Sequence, residues 1–370
     1  MRGGMRRRML KCNGKISVRQ VFVLFILSTL SPAIRIFPIV CSEIAKTASW
    51  VAPIISAVSL IILYSVINAF FKKKNINNLN DVFNAVLGNV TGKILLALYL
   101  IWCIVLFFLY IRYYAGRLLS SIYPNTDVRF FIIVMLAIVF MAARGKIETF
   151  LRFSEFTFLL FMVVLLLFFV ILLPEVKLSN IYPVTYYDLV PSAGASLRVS
   201  AIWSYLLLPF FFGESIINKD QIKKYGKQTT IYLVAFNVIL LITVVGSLGY
   251  SVVRRMSLPF FNAVKLITFI ETFDRFESIV LAIWVAADFI LITLFAVVIT
   301  NIIKNLFSLS ETKYLTTPVV LLGYIGSQYV STNRFEREVI SNKFAIFVNL
   351  IMFFVVPIII LAIGKMRKKI

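Results

Sequence analysis

Histidine is absent from the 370 residues. That excludes imidazole metal sites, Ser-His triads and histidine general bases. Cysteine is scarce. Cys12, Cys41 and Cys103 are widely spaced and form no CxxC pair, so neither a disulfide framework nor a thiolate metal site is expected. Charge is scarce too, at 15% against about 25% in soluble domains. Acids are the rarest part of it, with 16 Asp and Glu against 38 Lys and Arg. An enzyme is not expected, and neither is a cofactor or a metal.

Apolar surface is abundant, at 61% of residues with a mean hydropathy of +0.94. Only a bilayer solvates that much. A crossing takes about 20 apolar residues. Ten stretches qualify: 18–45, 50–71, 93–121, 128–143, 150–173, 196–218, 228–250, 276–303, 314–330 and 343–364. The first apolar stretch has no small-residue cleavage site and reads as a span, not a signal peptide. The expected class is an all-α, multi-pass integral membrane protein.

The net charge of +22 suggests nucleic acid until the loops are sorted. With the N-terminus inside, 24 of the 38 basic residues fall on the cytoplasmic side, 11 outside, and Arg35, Arg112 and Arg117 within spans. The positive-inside rule then places both termini in the cytoplasm. The tail at 1–17 lacks aromatic interleaving, so it reads as an anchor against anionic lipid and not as a nucleic-acid site.

Ten spans divide into two sets of five, 18–173 and 196–364, separated by an outer loop at 174–195 and followed by a cytoplasmic tail at 365–370. An odd-numbered repeat must be inverted relative to its copy. The first helix of each set carries a helix breaker: Leu30-Ser31-Pro32-Ala33 in the first and Leu208-Pro209 through Gly213-Glu214 in the sixth. Proline removes a backbone donor and clashes with the preceding turn. Interrupted helices at matching positions of two halves point to a central binding site. Both helices are therefore expected to be broken.

Several stretches resemble a known family: "KISVRQVFVLFILSTL" into "PAIRIFP", "TASWVAPII", "LPFFFGESI" followed by "KDQIKKYGK", and "FDRFESIVLAIWV". The chain resembles the B-subunit permeases of bacterial spore germinant receptors (the GerAB/GerKB-like proteins). These belong to the amino acid–polyamine–organocation transporter superfamily, whose fold is a LeuT-like five-plus-five inverted repeat. The resemblance covers essentially the whole chain. It implies a ligand site at Ser31, Pro32 and Ala33 in the first break and at Phe210, Phe212, Gly213 and Glu214 in the sixth. The first break departs from the superfamily pattern, with Ser-Pro-Ala where glycines are usual.

Charges within spans are costly and need partners. Arg35, Arg112 and Asp288 are candidate cavity charges, and an Arg112–Asp288 pair is expected. Arg35 reads either as a cation for a ligand carboxylate or as a snorkelling side chain. Arg117 reads as snorkelling to the outer surface. Tyr99, Trp102 and Tyr205 read as packing residues. Asn237 and Asn349 read as interhelical hydrogen-bonders. Glu277, beside Arg275, reads as a residue of the eighth helix's first turn.

The fifth span has no ionisable residue between Phe156 and Leu173, and the eighth offers Asp288 and Thr293 but no adjacent Ser/Thr pair. Neither proton nor sodium coupling is supported, which favours a receptor. The resemblance implies a membrane-embedded subunit in the inner membrane of a spore. It would bind a small nutrient germinant such as an amino acid, beside an A subunit and a C-subunit lipoprotein, and trigger germination. A secondary amino acid transporter and a germinant-gated ion or water channel are the alternative readings.

Overall fold

The computed structural model describes residues 14–73, 76–121, 123–266, 276–331 and 333–370. Most of the basic tail, Cys12, Arg275 and the side chain of Glu277 lie outside them. The apolar runs become helices. They are α1 (Val18–Ala45), α2 (Ala52–Phe70), α3 (Leu79–Leu87), α4 (Asn89–Ser121), α5 (Val128–Arg144), α6 (Ile147–Leu172), α7 (Leu189–Trp203), α8 (Ile222–Leu248), α9 (Phe276–Phe307), α10 (Thr316–Tyr329) and α11 (Phe335–Met366). Among the described residues, seven helical stretches are long and apolar enough to cross a membrane, the first of them holding both α1 and α2. The chain is an all-α integral membrane protein. Among the described residues, one sheet pairs Ile16–Ser17 in parallel with Ile216–Ile217.

Each boundary has a local cause. Ser17 caps α1 and Gln20 bonds back to it, a closed capping box. Asn78 and Asp81 do the same for α3. The lipid face is legible on α6: Phe156, Leu159, Val163, Leu166 and Val170 recur every three or four residues and are exposed. Ser154, Phe161, Leu165 and Phe168 point inward on the same helix and are buried. The loop expected at 174–195 is shorter, because α7 begins at Leu189. Pro191 sits in its first turn, where a missing N–H costs nothing.

The first helix is not broken. α1 is a continuous 28-residue α-helix with Pro32 and Pro38 inside it. Every residue from Ile26 to Ile34 is buried, so unwinding would expose further backbone groups where no water reaches them. The Ser28 hydroxyl donates to the Phe25 carbonyl and that of Thr29 to the Ile26 carbonyl, both at 2.8 Å, so both side chains bond back within the turn ahead of the proline.

The sixth stretch behaves differently. At Ser204 the α-helix tightens into 3-10 geometry, in two stretches that together span Ser204–Ser215 and meet at a kink at Phe212. Such runs seldom exceed 3–4 residues. Phe212 leaves helical geometry altogether, at φ −105° and ψ 31°. The chain then pairs with the entry of α1. The most extensive helix contacts join α4 to α9, α2 to α8 and α1 to α7.

Candidate functional site

Polar and charged groups collect at two depths. The first is the mouth where the sixth stretch ends. Gly213 is fixed there by sterics: a Cβ would lie 2.5 Å from the Asn77 carbonyl oxygen and 3.3 Å from Asn78 Cα. The loop that caps α3 therefore presses on the 3-10 segment. Next to it, Asn78 donates its side-chain N–H to Glu214 Oε1 at 2.7 Å, and Lys304 of α9 lies 3.7 Å from Glu214 Oε2. Lys219 donates to the Asn77 carbonyl at 2.7 Å and sits over the Phe71 ring. Glu214, Phe212, Thr300, Asn301 and Lys304 line a vestibule of about 390 Å³.

The three phenylalanines before Gly213 divide their tasks. Phe210 stacks on Phe71 at 5.4 Å, and Phe211 meets Tyr99 edge-on at 5.4 Å. Both are packing residues. Phe212 alone reaches the vestibule. Of the expected sixth-stretch residues, Phe212 and Glu214 face open space, Gly213 shapes the wall, and Phe210 does neither.

The second collection is buried between α1, α4 and α9. Asp288 of α9 is 3% exposed. It accepts from the Ser31 hydroxyl on one oxygen and pairs with Arg117 on the other. Trp284 Nε1 donates to Ser31 Oγ at 3.0 Å, and the Arg117 guanidinium lies over the Trp284 ring, 4.0 Å from its centroid. Ser31 is thus a donor and an acceptor in one closed ring of contacts. Pro32 and Ala33 are buried beside it within the helix.

This arrangement overturns two expectations. Asp288 pairs with Arg117 and not with Arg112, and Arg117 is buried instead of snorkelling. Helical phase explains the swap. Five residues turn a helix through about 500°, so Arg112 and Arg117 point roughly 140° apart and cannot reach the same partner. The sequence marks Trp284 only as part of the family-like stretch FDRFESIVLAIWV, with no site role, although its i,i+4 spacing to Asp288 places both on one face of α9.

The remaining polar residues tie helices together. Trp102 Nε1 donates to Asn349 Oδ1 at 2.8 Å, Asn349 donates to the Tyr205 hydroxyl at 3.0 Å, and Tyr205 meets the Tyr110 hydroxyl at 2.8 Å. The Tyr99 hydroxyl donates to the Met352 carbonyl, in a π-helical stretch of α11. Asn349 is an interhelical hydrogen-bonder. Asn237 is not: it donates to Leu233 of its own helix at 2.7 Å. Cys41 and Cys103 are buried and free.

An all-helical membrane bundle with ionised groups in its interior and a polar vestibule at a remodelled helix end has a permease-like build. The sequence profile of the spore germination proteins, the spore permease family, matches residues 15–336, and the chain belongs to that family. The Bacillus subtilis (strain 168) protein named "Putative spore germination protein YfkT" is 20% identical over 358 residues, covering 95% of this chain and 97% of the relative. The family is one of permease-like proteins and not of enzymes.

Proposed function

We propose that this chain is the membrane-embedded, transporter-like subunit of a spore germinant receptor. It binds a small nutrient germinant such as an amino acid and triggers germination. The observation that carries the reading is the kinked 3-10 segment, broken at Phe212, that sets Glu214 at a polar vestibule, in a chain of the spore germination family. A half-exposed acidic side chain beside a kinked helix end, held by one amide donor and a long lysine contact, suits the ammonium group of an amino acid. Phe212, Gly213 and Glu214 form the mouth of this site, and Ser31, Pro32 and Ala33 on α1 sense it from its deep end, at the Asp288 cluster, without lining the vestibule.

α9 connects the two. It carries Asp288, bonded to Ser31, and Lys304, beside Glu214. Sixteen residues of helix separate them, about 24 Å at 1.5 Å per residue. A nutrient that draws Glu214 away from Lys304 biases the position of α9, and the shift reaches α1 through Asp288. Ligand-driven change of this kind needs only a difference in affinity between two helix arrangements.

The architecture we assign is ten crossings in two inverted sets, 18–173 and 196–364, with both termini cytoplasmic in the spore inner membrane. The helix pairing supports it: α1 packs on α7, α2 on α8, α4 on α9 and α5 on α10, each a counterpart in the other set. The germinant receptor's A subunit and C-subunit lipoprotein are the assigned partners. A gradient-driven amino acid transporter is the second reading, favoured by the permease-like family.

Proteoliposomes holding this chain alone, supplied with radiolabelled amino acids, separate the two. The receptor reading predicts saturable binding without accumulation, and spores carrying Glu214→Ala that no longer germinate on the nutrient. Gradient-driven uptake would replace it with the transporter reading.

A further inference from the structure

Four arginines gather at the end of the bundle opposite Glu214, and nothing in the proposed nutrient site uses them as a group. Arg35 of α1 lies over the Tyr113 ring, 3.3 Å from its centroid, and Arg337 at the start of α11 lies 5.2 Å from the centroid of the same ring. The Tyr113 hydroxyl donates to the Arg337 carbonyl at 2.9 Å, which fixes the ring between them. The Arg337 guanidinium packs on Gly116, where a Cβ would lie 3.1 Å from its Nη2. Gly116 precedes Arg117 and follows Arg112 by four residues, so all three sit on the last turns of α4.

The charges do not balance. Arg35 and Arg112 are close enough to Arg337 to repel it, and Arg35 is close enough to repel Arg117. Among the described residues, the carboxylates that act on these arginines are Asp288, already engaged by Arg117 and Ser31, and Glu338 beside Arg337. Five buried guanidinium nitrogens have no hydrogen-bond partner among the described residues: Arg35 Nη2, Arg112 Nε, Arg117 Nε and Nη1, and Arg337 Nε. Arg117 is 4% exposed and Arg337 9%. Buried donors are nearly always satisfied, and unsatisfied ones call for an explanation. A membrane interior makes unbalanced charge costlier still. Arg35 and Arg112 are only partly buried, so the cluster has a route to the surface.

We propose that Arg35, Arg112 and Arg337 form a binding site for a compact oxyanion, a carboxylate or a phosphate group, with Arg117 held back by Asp288. The planar guanidinium fork matches both anions in bidentate geometry. Tyr113 spaces two of the forks, and Gly116 gives Arg337 the room to approach α4. This site stands apart from the nutrient reading at Glu214, and either can fail alone. The oxyanion is supplied by a small soluble molecule or by a lipid headgroup, since both carry the same chemistry.

The test is the thermal stability of the purified full-length chain in zwitterionic nanodiscs, titrated with acetate and with inorganic phosphate against chloride at matched ionic strength. A bound oxyanion raises Tm with the logarithm of its concentration. The rise is expected with acetate or phosphate, to be abolished in Arg35→Gln and Arg337→Gln, and to be weakened in Arg35→Lys, which keeps the charge and loses the fork. Nanodiscs containing phosphatidylglycerol form the second arm. A Tm already raised there, no longer responsive to added anion and sensitive to Arg35→Gln, assigns the oxyanion to the lipid. Equal effects of chloride and acetate mean ionic screening and overturn the site. So does a Tm indifferent to anion in both lipids. Nutrient binding measured on the same Arg35→Lys protein keeps the two readings distinguishable, because it is expected to be unchanged.

Discussion

Asp288 is 3% exposed and contacts Arg117 and Ser31 directly; the Glu214 side chain is 52% exposed, with one amide donor and a lysine 3.7 Å away. The two carboxylates mark two designs within one bundle. At the centre, every polar contact around Asp288 closes on another: Ser31 to Trp284, Trp284 to Arg117, Arg117 back to Asp288. At the mouth the carboxylate keeps lone pairs facing a vestibule. A closed cluster holds three helices together and leaves little for a ligand. An open carboxylate holds little and can accept one. The same contrast separates the two proline-bearing stretches. Pro32 lies in a stretch buried from Ile26 to Ile34 and the helix continues, whereas Pro209 lies inside an equally buried segment that winds into 3-10 form and ends at the vestibule.

Breaking the centre has the largest effect. Asp288→Ala strands Arg117 without a counter-charge, and losing one partner of a buried pair costs about 3–5 kcal/mol. Unfolding of the purified protein in detergent should register that loss, and Arg117→Gln added to it should recover part. Arg112→Gln combined with Asp288→Asn should be additive; strong coupling between those two would refute the pairing described above.

Gly213→Ala comes next. Its Cβ meets the Asn77 carbonyl at 2.5 Å, and forcing atoms into a packed site typically costs about 1–3 kcal/mol. Because the strain falls on the mouth, a germination assay should lose nutrient response more than detergent melting loses stability. Ser31→Ala removes a hydroxyl and leaves the Trp284 N–H unsatisfied, a loss of about 1–3 kcal/mol. Nutrient affinity measured on that variant should change less than its Tm.

Glu214→Gln is expected to have the smallest effect on stability, within about 0.5 kcal/mol, since the group is half-exposed and its lysine contact is long. Its effect on nutrient binding should be the reverse of its effect on stability. Full binding by Glu214→Gln would remove Glu214 from the site and erase the contrast with Asp288.

Helix positions were legible because lipid imposes a simple rule: long apolar runs between polar ends. The structure has helices over every expected stretch, including α5 and α10 at 17 and 14 residues. The 3-10 segment was half legible: Pro209 and Gly213 marked where the helix would fail, without showing that it would tighten across Ser204–Ser215 with a kink at Phe212. The neighbour that makes Gly213 obligatory, the Asn77–Asn78 turn, lies more than 130 positions away in the chain. No local pattern carries such a contact.

By itself the sequence determined the solvent of this protein, its helical class and the residues too costly to place in a membrane without a partner. Those follow from hydropathy and from the price of charge in hydrocarbon, which are properties of residues and their order. The partners were decided by the tertiary structure. Which arginine meets Asp288 depends on helical phase and on the approach of α4 to α9. Whether a proline breaks its helix depends on its neighbours in the fold: Pro32 and Pro209 are both buried, yet only the second stretch meets the Asn77–Asn78 turn and leaves α-helical form.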